Sequence, residues 1–300
     1  MNIIGRAYIF FIFSGLLILG SFAALAVWGL TFGIDFTGGS LLEVSYSARR
    51  PSAELIREEF VKAGVENAVI RFAGEHDVIA RSRDVDEVTH QKLVSGLGTL
   101  GTMEEKRFNT IGPVIGERLA RRAIIALASA LISIVLYLTW AFRQVSRPLA
   151  SWKYGTVAVT VGLFHDIVIP LGAFSLLGRF AYAEVDTLFI TALLTILGFS
   201  VHDTIVVFDR TRENLRDLKR AESFADTVNR SVNETITRSV MTSLTVFLVL
   251  AAILFFGGAT TKYFAFTLLL GVVFGTYSSI FVASPLLVVW DAWHRRMDKK

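Results

Sequence analysis

Six stretches of this chain are apolar over about the length that an α-helix needs to cross a hydrocarbon layer, roughly 20 residues for 30 Å. In lipid every backbone N–H and C=O must find a partner within the protein, so stretches like these are restricted to helices. The spans run Ala7 to Thr31, Ala123 to Phe142, Tyr154 to Leu176, Asp186 to Phe208, Val240 to Gly257 and Phe264 to Trp290. With 53% hydrophobic residues, the chain has more apolar surface than a water-soluble globule of its length would bury. The formal charge of +4 is too small, and its basic residues too dispersed along the spans, for a nucleic-acid groove. No cysteine is present, which excludes disulfides, thiolate metal sites and cysteine nucleophiles.

Basic residues in short connections resist translocation and stay cytoplasmic. Arg6, Arg143, Arg147, Lys153, the run from Arg210 to Arg238, and Arg295 to Lys300 all fall on one side, whereas the other side's two short loops hold only Arg179 and Lys262. The expected topology is therefore a multi-pass membrane protein with both termini cytoplasmic and residues 32–120 outside. Trp140, Trp152, Trp290 and Trp293 stand at span ends, as interfacial aromatics do. A competing reading takes Ala24, Leu25 and Ala26 as a signal-peptide cleavage site. The preceding apolar run is too long and too poor in N-terminal charge for it, which favours an anchor.

Between the first two spans the pattern alternates. Leu41 to Ser47, Ala68 to Phe72, Val78 to Ser82 and Thr102 to Asn109 read as strands, and Glu54 to Ala63 and Asp84 to Leu97 as helices. The order βαββαβ is that of a ferredoxin-like α+β domain. No catalytic constellation occurs in it, and His76, His90 and its acids read as solvated surface. The fold class expected is thus a six-helix transmembrane bundle carrying one ferredoxin-like extracytoplasmic domain. Its parts are 1–31 (first span), 32–120 (the domain), 121–290 (the five-helix bundle) and 291–300 (a basic tail).

Ionisable groups inside spans cost roughly 2.5–3.5 kcal/mol each on insertion scales, so each needs a partner or a purpose. Asp203 lies six residues before Asp209, about 9 Å inside the fourth span at 1.5 Å per residue. Arg238 opens the fifth span from the same side, so a hairpin of the two spans brings a carboxylate and a guanidinium within reach. Burial disfavours the charged carboxylate and a nearby cation favours it, which would let such a pair load and release a proton. A static pair joining two helices is the competing reading. His165 and Asp166 in the third span are read either as a packing pair or as part of a polar pathway, and His202 adds a titratable group beside Asp203. A metal site is disfavoured, because these His-Asp dipeptides fit no zinc signature such as H-E-x-x-H.

Gly271, Gly275, Ser279 and Ala283 recur every four residues along the sixth span and form a small-residue stripe for close helix approach. Pro285 is expected to kink the span beyond it. Residues 209–239 hold seven basic and six acidic residues, with apolar Phe224, Val228, Val232 and Ile236 at helical spacing. That pattern predicts a separate interfacial helix.

Several blocks carry a family resemblance. They are Gly33-Ile-Asp-Phe-Thr-Gly-Gly39, with Asp35, Gly38 and the final glycine as its markers; Ile111-Gly-Pro-Val-Ile-Gly116; and His165-Asp166. The strongest is Ser200-Val-His-Asp-Thr-Ile-Val-Val-Phe-Asp-Arg-Thr-Arg-Glu-Asn214, which includes Asp209 and Arg210, followed by Asn233-Glu-Thr-Ile-Thr-Arg238, which includes Glu234. In this order, on a one-plus-five topology, the chain resembles the SecD/SecF family of protein-export membrane proteins in the RND superfamily. The short external domain places the resemblance on the SecF side of that family.

The resemblance implies a subunit of the bacterial inner membrane that works with SecD and the SecYEG channel, with YajC and YidC as further partners, on translocating preproteins. It implies no cofactor and no enzymatic reaction, with H⁺ or alternatively Na⁺ as the coupling ion. Asp203 and Arg238 match the family's functional acid and arginine, whereas His202 stands where Asn is common. No Walker A pattern occurs, so ATP is not expected. A small-molecule or lipid exporter of RND type and a passive assembly scaffold stay open as alternatives.

Overall fold

The computed structural model describes residues 1–141, 152–153, 156–157, 165–216 and 223–297. Two compact units emerge: Met1–Thr31 together with Ile125–Lys300, and Phe32–Ile124.

The smaller unit opens with a short helix α2 (Ile34–Thr37) and holds β1 (Gly39–Tyr46), α3 (Ala53–Lys62), β2 (Val69–Ala73), β3 (Asp77–Ser82), α4 (Glu87–Thr99) and β4 (Met103–Ile111). Its sheet has the order β2-β3-β1-β4 with every pairing antiparallel. Ser52 starts α3 by accepting from the Leu55 amide, and Asp86 starts α4 by accepting from the Thr89 amide at 2.9 Å. Alternate residues of β1 and β3 (Leu42, Val44, Tyr46, Val78, Ala80) meet Ile56, Phe60, Leu93 and Leu97 of the helices. Burying side chains of this size contributes about 1.5–3 kcal/mol each.

The opposite sheet face is charged. Burial pushes the Asp77 carboxyl up, but hydrogen bonds from Lys106 (2.8 Å) and Ser45 (2.6 Å) outweigh it and hold the group below the usual carboxylate range.

His90 is not the solvated residue that its sequence context suggests. Only 7% exposed, it stacks on Phe108 with a 3.8 Å ring separation, and its Nε2 lies 3.1 Å from Glu105. The apolar helix face that carries it turns toward β4, which a local reading of charge does not show. His76 is likewise engaged, with Nδ1 2.9 Å from the Ala48 carbonyl.

Gly39 begins β1 at φ +116°, and a Cβ there would stand 2.5 Å from the Ser82 carbonyl oxygen. Gly39→Ala should therefore destabilise this unit by about 1–3 kcal/mol, the cost of a strained backbone position. Limited proteolysis of the membrane-embedded chain would detect it as faster cleavage within 39–111.

The larger unit contains α1 (Ala7–Trp28), α6 (Asp166–Phe180), α7 (Thr187–Arg216), α8 (Phe224–Phe256), α9 (Ala259–Ser278) and α10 (Ser284–Met297), and α5 (Pro113–Ala141) runs into it. Among the described residues, five helical stretches are long and apolar enough to cross a membrane: Ile4–Trp28, Pro113–Ala141, Thr187–Arg216, Phe224–Phe256 and Thr261–Met297. The sixth predicted span, Tyr154 to Leu176, begins largely outside the described residues. Its described remainder falls within α6.

The separate interfacial helix expected over 209–239 is not formed. α7 continues through Asp209 to Arg216, and α8 already begins at Phe224, with residues 217–222 outside the described set. The reason is packing: Phe224, Val228 and Val232 are buried in one cluster with Ile3, Val207 and Phe208, so their apolar face meets the bundle. Cross-links reinforce the hairpin. Arg210 Nε donates to Glu234 at 2.6 Å, and Asn214 Nδ2 donates to Ser231 and Glu234 at 2.9 Å.

At the start of the chain, the Ile3 amide donates to Asn229 Oδ1 at 2.9 Å, and Asn229 and Asn233 donate to the Met1 carbonyl. The turn leading into α1 is thereby tied to α8.

α9 packs against α7 through the small-residue stripe. Gly271 faces Ile196 and Gly275 faces Ser200, and a Cβ on Gly275 would lie 3.1 Å from the serine Cβ. Beyond it, Ser279–Ala283 is a π-helical turn between α9 and α10. Pro285 accounts for it: proline has no N–H to give back along the helix, and its ring crowds the preceding turn. Ser284 Oγ donates to the Ser279 carbonyl at 2.9 Å within that turn.

Candidate functional site

Apolar helices that meet in lipid are joined by small residues and hydroxyls, and here the hydroxyls converge on one carboxylate. Asp166, at the first turn of α6, is fully buried. Its Oδ1 lies 2.7 Å from His165 Nδ1, and its Oδ2 accepts from Ser278 of α9 at 2.9 Å and from Ser200 of α7. Three helices are thus pinned to one acid. Among the described residues no guanidinium or ammonium group is bonded to it.

The neighbouring groups continue this polar seam. Thr204 and Ser279 share a hydrogen bond of 2.8 Å, and Ser279 also donates to the Gly275 carbonyl at 2.9 Å. Ser243 of α8 bonds Thr276 of α9. The His165 ring stacks on Tyr277 at 5.6 Å, and Tyr277 in turn donates to the Phe10 carbonyl of α1 at 3.1 Å.

Among the described residues, the buried polar atoms without a hydrogen-bond partner include His165 Nε2, Asp203 Oδ2 and Ser239 Oγ. An unpaired polar atom away from water costs about 1–3 kcal/mol, so such atoms mark places where function competes with stability.

Asp203 sits on α7 one turn beyond Ser200 and is only 5% exposed. The ion pair expected with Arg238 is not formed. Arg238 lies well inside α8 rather than at its start, and it is exposed. It lines a groove of about 480 Å³ with Val206, Asp209, Arg210, Glu213 and Glu234, while Asp203 faces the bundle. The two share one hairpin but not one contact. His202, the next residue on α7, is exposed and lies apart from the buried seam.

Asp209 is bonded to Arg212 at 2.5 Å, and Arg210 bridges Glu213 and Glu234 at 2.6 Å each, which fixes the charged end of the hairpin. Gly33 precedes α2, Asp35 lies within it, and Gly38 and Gly39 follow at positive φ where the chain turns into β1. A Cβ on Gly38 would lie 2.8 Å from the Pro113 Cα, so this glycine permits close backbone approach. Among the described residues no cluster of three or more His, Cys, Asp or Glu could hold a metal ion.

Ser200, Thr204, Ser278, Ser239 and Ser243 were not read from the sequence as site residues, and Ser279 was read only as part of the small-residue stripe. The signal that could have found them is hydroxyls four apart, as in Ser200 and Thr204 or Ser239 and Ser243, which share one helix face.

Comparison with known proteins places these features in a family. Residues 91–293 match the profile for the protein export membrane protein SecD/SecF C-terminal region, and residues 23–48 match the SecD/SecF GG motif. The chain is 37% identical to the protein translocase subunit SecF of Anaerolinea thermophila, over 100% of this chain and 98% of that protein. It is 40% identical to the SecF subunit of Thermobaculum terrenum, over 97% of this chain and 94% of the relative. Among solved structures it resembles SecDF of Thermus thermophilus, described as a translocon-associated membrane protein. That match has a TM-score of 0.84 and 34% identity, and it covers 97% of this chain and 39% of the other. A second SecDF structure, in a super-membrane-facing form, matches with a TM-score of 0.70 at 32% identity over 100% of this chain and 40% of that one. The chain thus spans about two-fifths of the length of the SecDF chains.

Proposed function

The chain belongs to the SecD/SecF family of protein-export membrane proteins, and from that premise we propose that it is the SecF-type subunit that couples an ion gradient to preprotein export. It works beside SecD and the SecYEG channel, with YajC and YidC as accessory partners, in the inner membrane with both termini cytoplasmic. The observation that carries this reading is the buried Asp203, whose Oδ2 has no hydrogen-bond partner in a helix long and apolar enough to cross a membrane.

A carboxylate held this way, without a fixed counter-charge, has a reason to take up a proton or a cation and to give it back. Arg238, exposed in the adjoining groove, is the cation whose approach or withdrawal would bias that exchange. Each elementary charge crossing 100 mV releases about 2.3 kcal/mol, enough for a few ions to shift a small domain between two positions. Asp166 and His165 form a second ionisable station in the same bundle. In this reading the gradient is the energy source.

Export of a reporter preprotein into inverted membrane vesicles containing the chain and SecD tests it. A protonophore should reduce export to the gradient-free level while a sodium ionophore has no effect; the opposite pattern identifies Na⁺ as the ion. Export indifferent to both would refute the coupling.

A further inference from the structure

Ser278 has one hydroxyl proton and two acceptors within reach: Asp166 Oδ2 at 2.9 Å and the Gly275 carbonyl at 3.0 Å. It is fully buried, so water does not compete. It is also the last residue of α9, immediately before the π-helical turn Ser279–Ala283. A hydrogen bond to a charged acceptor is roughly twice as strong as one to a neutral acceptor, so the charge on Asp166 decides which acceptor the hydroxyl takes.

We propose that Ser278 is the positioning residue through which a proton on Asp166 reaches the π-helical turn of the sixth span. With Asp166 ionised, the hydroxyl is drawn to the carboxylate and holds the end of α9 against α6. With Asp166 neutral, the carboxyl no longer outcompetes the Gly275 carbonyl; the hydroxyl turns back along its own helix and the tie between α9 and α6 is released. Ser279 and Ser284, which pin the turn to Gly275 and to its own backbone, then bear its geometry alone.

The proton balance is simple. A proton arrives on His165 Nε2, which has no partner, while the Nδ1–H bond breaks and an O–H bond forms on Asp166 Oδ1 across 2.7 Å. The imidazole ends neutral and the carboxylate is discharged. The titratable groups facing this centre are His165 on the same element, Tyr277 stacked on it from α9, and Asp203 a turn farther along α7. From α1 the polar groups that meet Tyr277 are the Ser14 hydroxyl, at 3.3 Å, and the Phe10 carbonyl, at 3.1 Å, and neither titrates.

The inference rests on the ion-coupling reading above, and the experiment separates the two. The full chain with its SecD partner in lipid nanodiscs is followed by hydrogen–deuterium exchange across pH, with the amides of 279–283 normalised to their intrinsic rates. The expected protection of this turn changes roughly tenfold across the titration, the factor that one hydrogen bond to a charged group is worth. Ser278→Thr keeps the change; Ser278→Ala, Asp166→Asn and the double variant all flatten it to the same level. A pH response retained in Ser278→Ala or in Asp166→Asn overturns the inference, and either variant alone suffices if the other does not assemble. Should the turn respond while export ignores the gradient, the switch stands and the coupling reading falls.

Discussion

Asp203→Asn should reduce preprotein export to the level seen with the gradient collapsed, while the amount of chain in the membrane is unchanged or higher. Asparagine keeps the shape and polarity of the side chain but holds neither a negative charge nor an exchangeable acidic proton. Asp203 is 5% exposed, and its Oδ2 has no hydrogen-bond partner, so the substitution breaks no bond that this oxygen makes. It also removes an ionisable group whose place in a span costs roughly 2.5–3.5 kcal/mol on insertion scales, which argues against any loss of stability. Export assayed in vesicles beside a blot of membrane levels would show the combination. Gradient-stimulated export retained in the variant would remove Asp203 from the mechanism.

A comparably large effect, of the opposite kind, is expected at Gly172. This residue of α6 faces α1 so closely that a Cβ would stand 2.5 Å from the Cα of Ser21. A flexible side chain could swing away from such a clash, but a helix backbone cannot, so Gly172→Val must push α1 and α6 apart. Overpacking of this sort costs about 1–3 kcal/mol, and here it also disturbs the Ser175 hydroxyl, which donates to the Ala24 carbonyl of α1 at 2.8 Å. The variant should unfold several degrees earlier in detergent and accumulate less in the membrane. A melting temperature equal to that of the unaltered chain would contradict this packing.

How far the sequence foretold the molecule depends on the kind of signal. Strand alternation and helix caps in 39–111 are local, so the order βαββαβ could be read before any contact was known. Span bounds at the basic side could not. The polar stretches after Phe208 and before Val240 look like loop or surface helix by composition, yet they stay helical because Arg210, Asn214 and Glu234 bond across the hairpin and Val228 and Val232 are buried.

The proposed Asp203–Arg238 contact failed for a related reason. Connectivity shows that two helices are antiparallel, but it does not give the register or the face, and Arg238 turns into a groove beside Asp209 and Glu234. Asp166 was legible as an anomaly, a charge where none should be. The hydroxyls that hold it were not, because serine and threonine are common in spans and only tertiary packing aims Ser200 and Ser278 at the same oxygen.

The two asparagines of α8 that grip the backbone ahead of α1 have a mechanical consequence. A helix cannot slide along its axis while its neighbour's leading turn is bonded to it, so axial travel of the fifth span drags the first span with it. Two amide side chains thus bind the first and fifth spans into one moving body, and replacing both by alanine would let the two helices slide past each other.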